Sequence, residues 1–497
     1  MSGIRVTYSG FITFVIGIST IVTGLIFTLI ITRELSAEEL GIWTLIGGLL
    51  VYAVVIEPVI SYWTTREIAR GGKSAKTALI SSSILSTVGI SIYLIAVFVV
   101  SFETEIDSNV LYFGIILIPI TFINRTLSAI NYGWKAHTAS YGILGFEISK
   151  IPLGFLFVYQ FDMGVFGAIL ALTLAYVGSS IILGIFAREK IHEALNFSFV
   201  KKWFRLFWIS LFPQITNFIL KLDVLIFTIL TGSVIGLAYY TVSITIGSLV
   251  IQSAGISRAV YPKLLSENKI EILQENLTRV FYFAFPLTAI SLVFMKPALY
   301  ALNPIYDVAA TVVLFMTLKM FTTNIFSIFY QALLGIEKVD VDERSTFRDY
   351  AKSKLFLLPT INIIRSIVYI SGLTTLLLTI GTEFSDLDLV ILWTIIALVT
   401  EIPFTLYSYL LVRRSFQLRF NVKAILKYIF STIVVFLPMY FITNEYLYYT
   451  VSIFEFLPQL IIFVGTSIGL YLITTYLVDE KTRELLKMII NEISNKN

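Results

Sequence analysis

Fourteen runs of about 20 apolar residues recur along this chain of 497 residues, and they leave little freedom in how it folds. A bilayer core about 30 Å thick is crossed by about 20 helical residues, and lipid offers the backbone no hydrogen-bond partner outside a helix or a closed barrel. The runs lie near 10–32, 40–63, 77–101, 109–130, 141–161, 163–187, 206–230, 234–257, 278–301, 305–335, 355–380, 387–412, 424–443 and 455–478. They predict an all-α integral membrane protein that spans the cell membrane about fourteen times. Composition agrees: 57% of residues are hydrophobic and 14% charged, against about 25% charged in soluble domains. The run from Gly10 to Thr32 is long enough to be a first span rather than a cleavable signal.

The basic residues test this count independently, because cytoplasmic loops collect Lys and Arg. With the N-terminus inside, 28 of the 36 Lys and Arg fall in inside segments or, as Arg279 does, at their edge, and one, Arg33, falls outside. The other seven, Arg125, Lys150, Lys221, Lys296, Lys319, Arg365 and Lys427, fall within spans. A missed or invented span would scramble the alternation, so both termini are expected in the cytoplasm. The outside loops are short, for example Glu103 to Asn109, and provide no external catalytic domain. The chain has no Cys, and its two His, His137 and His192, fall in predicted loops, so no enzyme activity, metal site or cofactor is expected.

The turn between the first two spans, "ITRELSAEELGIWTLIGG", is echoed about 195 residues later by "LIFTILTGSVIGLAYYTVS", with Gly41 matching Gly236. Basic ends follow both copies, Arg66 and Arg70 in one, Arg258 and Lys263 in the other. An even number of spans separates them, so the repeat runs parallel.

"KLDVLIFTILTGSVIGLAYYTVSITI", "YPKLLS", "LNPIYDVAATVVLFMTL" and "ALLGIEKVD" resemble the second half of Wzx-like oligosaccharide/polysaccharide flippases of the multidrug/oligosaccharidyl-lipid/polysaccharide (MOP) exporter superfamily, and "TRELSAEELGIW" resembles the first-half counterpart. That first turn departs from the commoner Leu-Gly-Pro and Tyr-Gly pattern at Ser36, Ala37 and Leu40. The resemblance implies two pseudo-symmetric six-helix lobes around a central cavity, two extra helices and alternating access. The corresponding divisions are 1–190, 191–412 and 413–497.

The charges inside the spans carry the functional reading. A Lys or Arg at mid-bilayer costs about 2.5–3.5 kcal/mol, so Lys150, Lys221, Lys319 and Arg365, far from span ends, must face a cavity or a partner. Lys296 and Lys427 are close enough to interfaces to snorkel. Ser210, Gln214, Asn217 and Lys221 recur at helical spacing and form one polar stripe. Asn362 with Arg365, Lys319 with Thr323, and Arg125 with Ser128 and Tyr132 give three more. Arg binds phosphate through a planar fork and Lys binds it as a point charge, so these faces suit a pyrophosphate or acidic sugars.

Four buried acids, Glu57, Glu147, Asp223 and Glu401, offer the plainer alternative of pairing with the bases, and Glu147 and Lys150 are three apart on one helix. Glu57 and Glu401 precede Pro58 and Pro403, where a hinge or a cation-coupling site is the choice.

The expectation is a flippase for a polyprenyl-(pyro)phosphate-linked oligosaccharide, serving surface polysaccharide or protein glycosylation. Its substrate-binding residues would be Lys221, Arg365, Lys319, Arg125, Lys150, Asn217 and Gln214. Its partners would be the anionic cargo, membrane lipids and glycan-assembly enzymes, with no nucleic acid, and it would act as a monomer. The alternative is a MATE-like cation-coupled antiporter of drugs or metabolites, which should carry carboxylates for its cations. The first span, Gly10 to Thr32, has none.

Overall fold

The computed structural model describes residues 20, 22–254, 270–335, 353–381, 383–416, 421–480 and 482–483. The chain is all-helical over these residues. Among the described residues eleven helices are long and apolar enough to cross a membrane, and two bent helix pairs bring the number to thirteen if each pair is one span. Of the expected first span, residues 22–34 form a helix (α1), while residues 10–19 lie outside the described residues. So do Arg258, Lys263, the "YPKLLS" segment and most of the expected inside loop from 337 to 354.

The remaining helices are α2 (Ala37–Ala53), α3 (Pro58–Ala69), α4 (Ala75–Glu103), α5 (Ser108–Trp134), α6 (Ala136–Gln160), α7 (Gly164–Ile191), α8 (Ser198–Arg205), α9 (Phe207–Leu220), α10 (Leu222–Thr231) and α11 (Ile235–Ser253). They are followed by α12 (Ile270–Val293), α13 (Met295–Leu302), α14 (Pro304–Leu334), α15 (Lys354–Ile380), α16 (Asp386–Phe416), α17 (Val422–Tyr446) and α18 (Ile453–Val478). Each described span coincides with one of the apolar runs.

Local chemistry explains the punctuation. The turn before α2 is a capping box: the Glu39 amide donates to Ser36 Oγ at 3.2 Å and the Ser36 amide donates to Glu39 Oε2 at 3.0 Å. The unusual Ser36 therefore starts the helix. α2 and α3 are bent by 60° across a break that ends at Glu57 and Pro58, where proline removes a backbone donor. α12 and α13 bend by 66° at Phe294, three residues before Pro297.

Two compact units emerge. The first comprises Met1–Ala238 with Ile370–Asp386, the second Tyr239–Tyr369 with Leu387–Asn497. α9 and α10 thus pack with the first unit. There, Gly41 of α2 lies against the Val234 backbone so closely that a Cβ would fall 2.0 Å from the carbonyl oxygen, and only glycine fits. The two repeated turns meet at this contact. Between helices of the first unit, polar seams replace the hydrophobic effect that lipid cannot supply. Thr126 donates to Ser82 at 2.8 Å, Asn124 to Ser179 at 2.9 Å and Asn131 to the Leu183 carbonyl at 3.0 Å.

In the second unit, α12, α14, α15 and α16 share a core around Phe329, Leu333 and Leu358. A second core joins α12 to α17 and α18 through Tyr282, Tyr428 and Tyr471. The Tyr471 hydroxyl donates to the Tyr282 carbonyl at 2.8 Å, fixing α18 to α12.

Candidate functional site

The first unit contains a cavity of about 330 Å³ lined by Val51, Val54, Val55, Pro58, Arg125, Gln214, Asn217, Phe218, Leu220 and Lys221. That volume lies within the roughly 300–1,000 Å³ of small-ligand sites. Three pieces of backbone build it. The bend between α2 and α3 supplies an apolar wall, α5 supplies Arg125, and the helical period of α9 brings Gln214, Asn217 and Lys221 to one face. Asn217 Nδ2 lies 3.4 Å from Gln214 Oε1, a weak link within that face. Lys221 stands at the junction of α9 and α10, its amide bonded to the Asn217 carbonyl at 3.1 Å and its side chain exposed.

Both basic groups of this cavity are accessible. The Arg125 side chain is 48% exposed, and its Nη1 is 3.9 Å from Glu57 Oε2, at the outer limit of an ion pair. Glu57 is buried at the helix bend and accepts a hydrogen bond from Ser61 Oγ at 3.1 Å. Lys221 forms no ion pair among the described residues. Asp223, two residues on, is buried in the first turn of α10, where Oδ1 accepts from the Val224 amide at 2.8 Å. Carboxylates are favoured at such helix N-termini.

The other sequence-predicted bases are placed differently. Lys150 is buried on α6 with Nζ 2.6 Å from Glu147, which also accepts from Thr23 Oγ1. Phe27 and Phe146 present their rings to the same ammonium. Arg365, in the second unit, is buried and donates from Nη1 to Glu401 Oε1 at 2.6 Å, with its guanidinium over the Phe326 ring at 4.4 Å. Lys319 is half-buried on α14. One cavity therefore unites Arg125, Lys221, Gln214 and Asn217, while Lys150 and Arg365 each meet an acid. Sequence reasoning missed the apolar wall at Val51, Val54 and Val55, which carries no polar signal, and the pairing of Arg365 with an acid on another helix.

No protein-family model matches the sequence, and no curated protein does. Solved structures do match. The lipid II flippase MurJ in an inward closed conformation superposes with a TM-score of 0.64 at 14% identity, covering 95% of this chain and 99% of that one. An inward-facing multidrug resistance MATE transporter of the MOP superfamily gives 0.59 at 17% identity, covering 80% and 95%. The chain shares the fold of these two transporters. A MATE in complex with MaL6 also matches, at 0.50 and 17% identity, over 81% of this chain and 94% of that one. The 5% of this chain outside the MurJ match is about 25 residues, fewer than the 25 of α17 and 26 of α18 combined. The match therefore reaches into the last two helices. With at least eleven helices long and apolar enough to cross a bilayer among the described residues, and the fold of membrane transporters, the chain is a multi-pass membrane protein.

Proposed function

We propose that this protein is a flippase that carries a polyprenyl-(pyro)phosphate-linked anionic oligosaccharide from the inner to the outer leaflet by alternating access, without altering the covalent bonds of its cargo. The observation that carries this reading is the cavity in which Arg125 and Lys221 present accessible positive charge inside a membrane protein. Neutralising either charge by close pairing would be easy to build, as Lys150 and Arg365 demonstrate, and these two cations are left available, Lys221 at an insertion cost of about 2.5–3.5 kcal/mol. Gln214 and Asn217 add neutral hydrogen-bonding groups suited to sugar hydroxyls. The prenyl tail stays in lipid, while the phosphates are held by the Arg125 fork and the Lys221 ammonium. With the cell interior negative, outward movement of an anion is favoured by about 2.3 kcal/mol per charge per 100 mV.

The fold shared with MATE transporters favours a second reading, a cation-coupled antiporter, for which Glu57, beside Arg125 at the cavity wall, would be the candidate carboxylate. A cationic drug would meet Arg125 and Lys221 there, so the charge of the cavity supports the anionic cargo. Reconstitution decides between them. Proteoliposomes should translocate a fluorescent polyprenyl-diphosphate-linked saccharide, and K221Q or R125Q should lower the flux at least about tenfold. Transport of a cationic dye, with no flux of the lipid-linked saccharide, would sink the flippase reading.

A further inference from the structure

The chain between α7 and α9 holds a feature that transport through the cavity does not use. α8 is a helix of eight residues, SFVKKWFR, in the cytoplasmic segment from Arg188 to Arg205. Its two faces differ. The inner face carries Phe199, Val200 and the fully buried Trp203, packed with Ile60, Trp63 and Ala78 of α3 and α4. Lys202 ties the helix to α3 through Glu67 at 2.6 Å, and the Asn196 amide donates to Thr77 Oγ1 at 2.9 Å. The position of α8 is therefore fixed.

The outer face is exposed and mixes aromatic with basic groups. Phe197, Lys201 and Phe204 follow one another at intervals of four and three, Arg205 adjoins Phe204, and Trp208 continues the exposed aromatics at the start of α9. Large aromatics left uncovered beside unpaired cations do not suit open water, but they match the membrane interface, where rings enter the headgroup layer and cations meet lipid phosphate. Lys201 and Arg205 form no ion pair among the described residues. Arg70 and Lys73, on the turn between α3 and α4 against which α8 packs, are exposed as well and extend the positive surface.

We propose that the outer face of α8 is a docking surface for anionic phospholipid headgroups of the cytoplasmic leaflet. Phe197, Phe204 and Trp208 seat in the interface, and Lys201 and Arg205 contact the phosphates. Charge complementarity selects this occupant: a basic side chain at an anionic membrane surface raises binding about fivefold, whereas a zwitterionic lipid gains almost nothing from it. Because α8 is anchored on α3, whose first residue Pro58 lines the transport cavity, the headgroup contact is joined to the cavity wall through one rigid helix.

The test uses the full chain in phosphatidylcholine vesicles containing trace spin-labelled phosphatidylglycerol or spin-labelled phosphatidylcholine, with the motionally restricted fraction as the readout. Wild-type protein should restrict phosphatidylglycerol several-fold more than phosphatidylcholine, and the preference should fall as salt rises. K201Q/R205Q should reduce the preference at least about fivefold, and the charge-conserving K201R/R205K should keep it. Equal restriction of the two lipids by wild type, or an undiminished preference in K201Q/R205Q, would overturn the proposal. Neither readout depends on what the cavity carries.

Discussion

Arg365 and Glu401, 36 residues apart on α15 and α16, meet at 2.6 Å with both side chains buried. Arg125 and Glu57 differ from them in both respects, standing 3.9 Å apart with the Arg125 side chain 48% exposed. The two pairs use the same chemistry for different ends. In the first, acid and base neutralise each other. In the second the base remains open to a third party.

That difference predicts the behaviour of Arg365. R365A leaves the Glu401 carboxylate buried and uncompensated, a loss of about 3–5 kcal/mol. Replacing both residues by apolar ones of similar volume, R365M/E401L, should restore most of that stability, since a buried pair is often no better than good packing. Thermal unfolding in detergent measures both. A double variant as unstable as R365A would show that the pair does more than compensate charge.

Lys221 should respond in the opposite sense. Its side chain is exposed and its removal strands no acid, so K221Q should shift stability by no more than about 0.5 kcal/mol. Flux of the lipid-linked saccharide should nevertheless fall at least about tenfold, since a charge-assisted contact to phosphate is worth about 1.5–3 kcal/mol. R125Q should behave similarly, with a small added loss because Glu57 is buried beside it. Melting temperature and flux measured on the same preparations separate the two effects.

Legibility followed the range of the forces involved. The spans were readable because lipid imposes one requirement on every residue that crosses it, so thirteen apolar runs coincide with described membrane-length helices or bent helix pairs. The face shared by Gln214, Asn217 and Lys221 was readable from the helical period alone, and so was the closeness of Glu147 to Lys150, three residues apart. Arg365 and Glu401 were not matched because spacing along a chain does not tell which helices become neighbours. The joining of Arg125 to the Lys221 face is a tertiary fact of the same kind. The packing side of α8 was hidden for another reason: eight residues with three bases look like a charged loop, and only the burial of Trp203 shows which face is inward.

Gly41 gives a prediction about the repeat. Its α-carbon faces the Val234 carbonyl, and G41A would place a methyl group 2.0 Å from that oxygen, with backbone on both sides and nothing flexible to move aside. The two turns must separate, at a cost of about 1–3 kcal/mol by analogy with overpacked cores. Gly47, with no atom within 4 Å of a built Cβ, is the control. G47A should be neutral or slightly stabilising by helix propensity. Equal unfolding temperatures for the two variants would contradict the close approach of the turns.

At the C-terminal end of α18, Asp479 gives a prediction about pH. Burial alone would raise its pKa above the ordinary 3.8, but hydrogen bonds from the Thr482 hydroxyl and amide, the Lys427 ammonium and the Tyr428 hydroxyl outweigh burial and hold it lower. Lys427 Nζ lies at 3.3 Å and Tyr428 OH at 3.2 Å, so the carboxylate fastens α17 to the end of α18. A carboxylate whose pKa is depressed by folding contributes stability in full above its unfolded value, and that contribution disappears as pH falls through the folded value. Wild-type α17 and α18 should therefore loosen as pH drops below about 3.8, seen as faster proteolysis or hydrogen exchange in these two helices. D479N keeps the shape and loses the charge, so it should be looser already at pH 7 and show a smaller acid-dependent change. An acid response of wild-type size in D479N would assign the transition to another carboxylate.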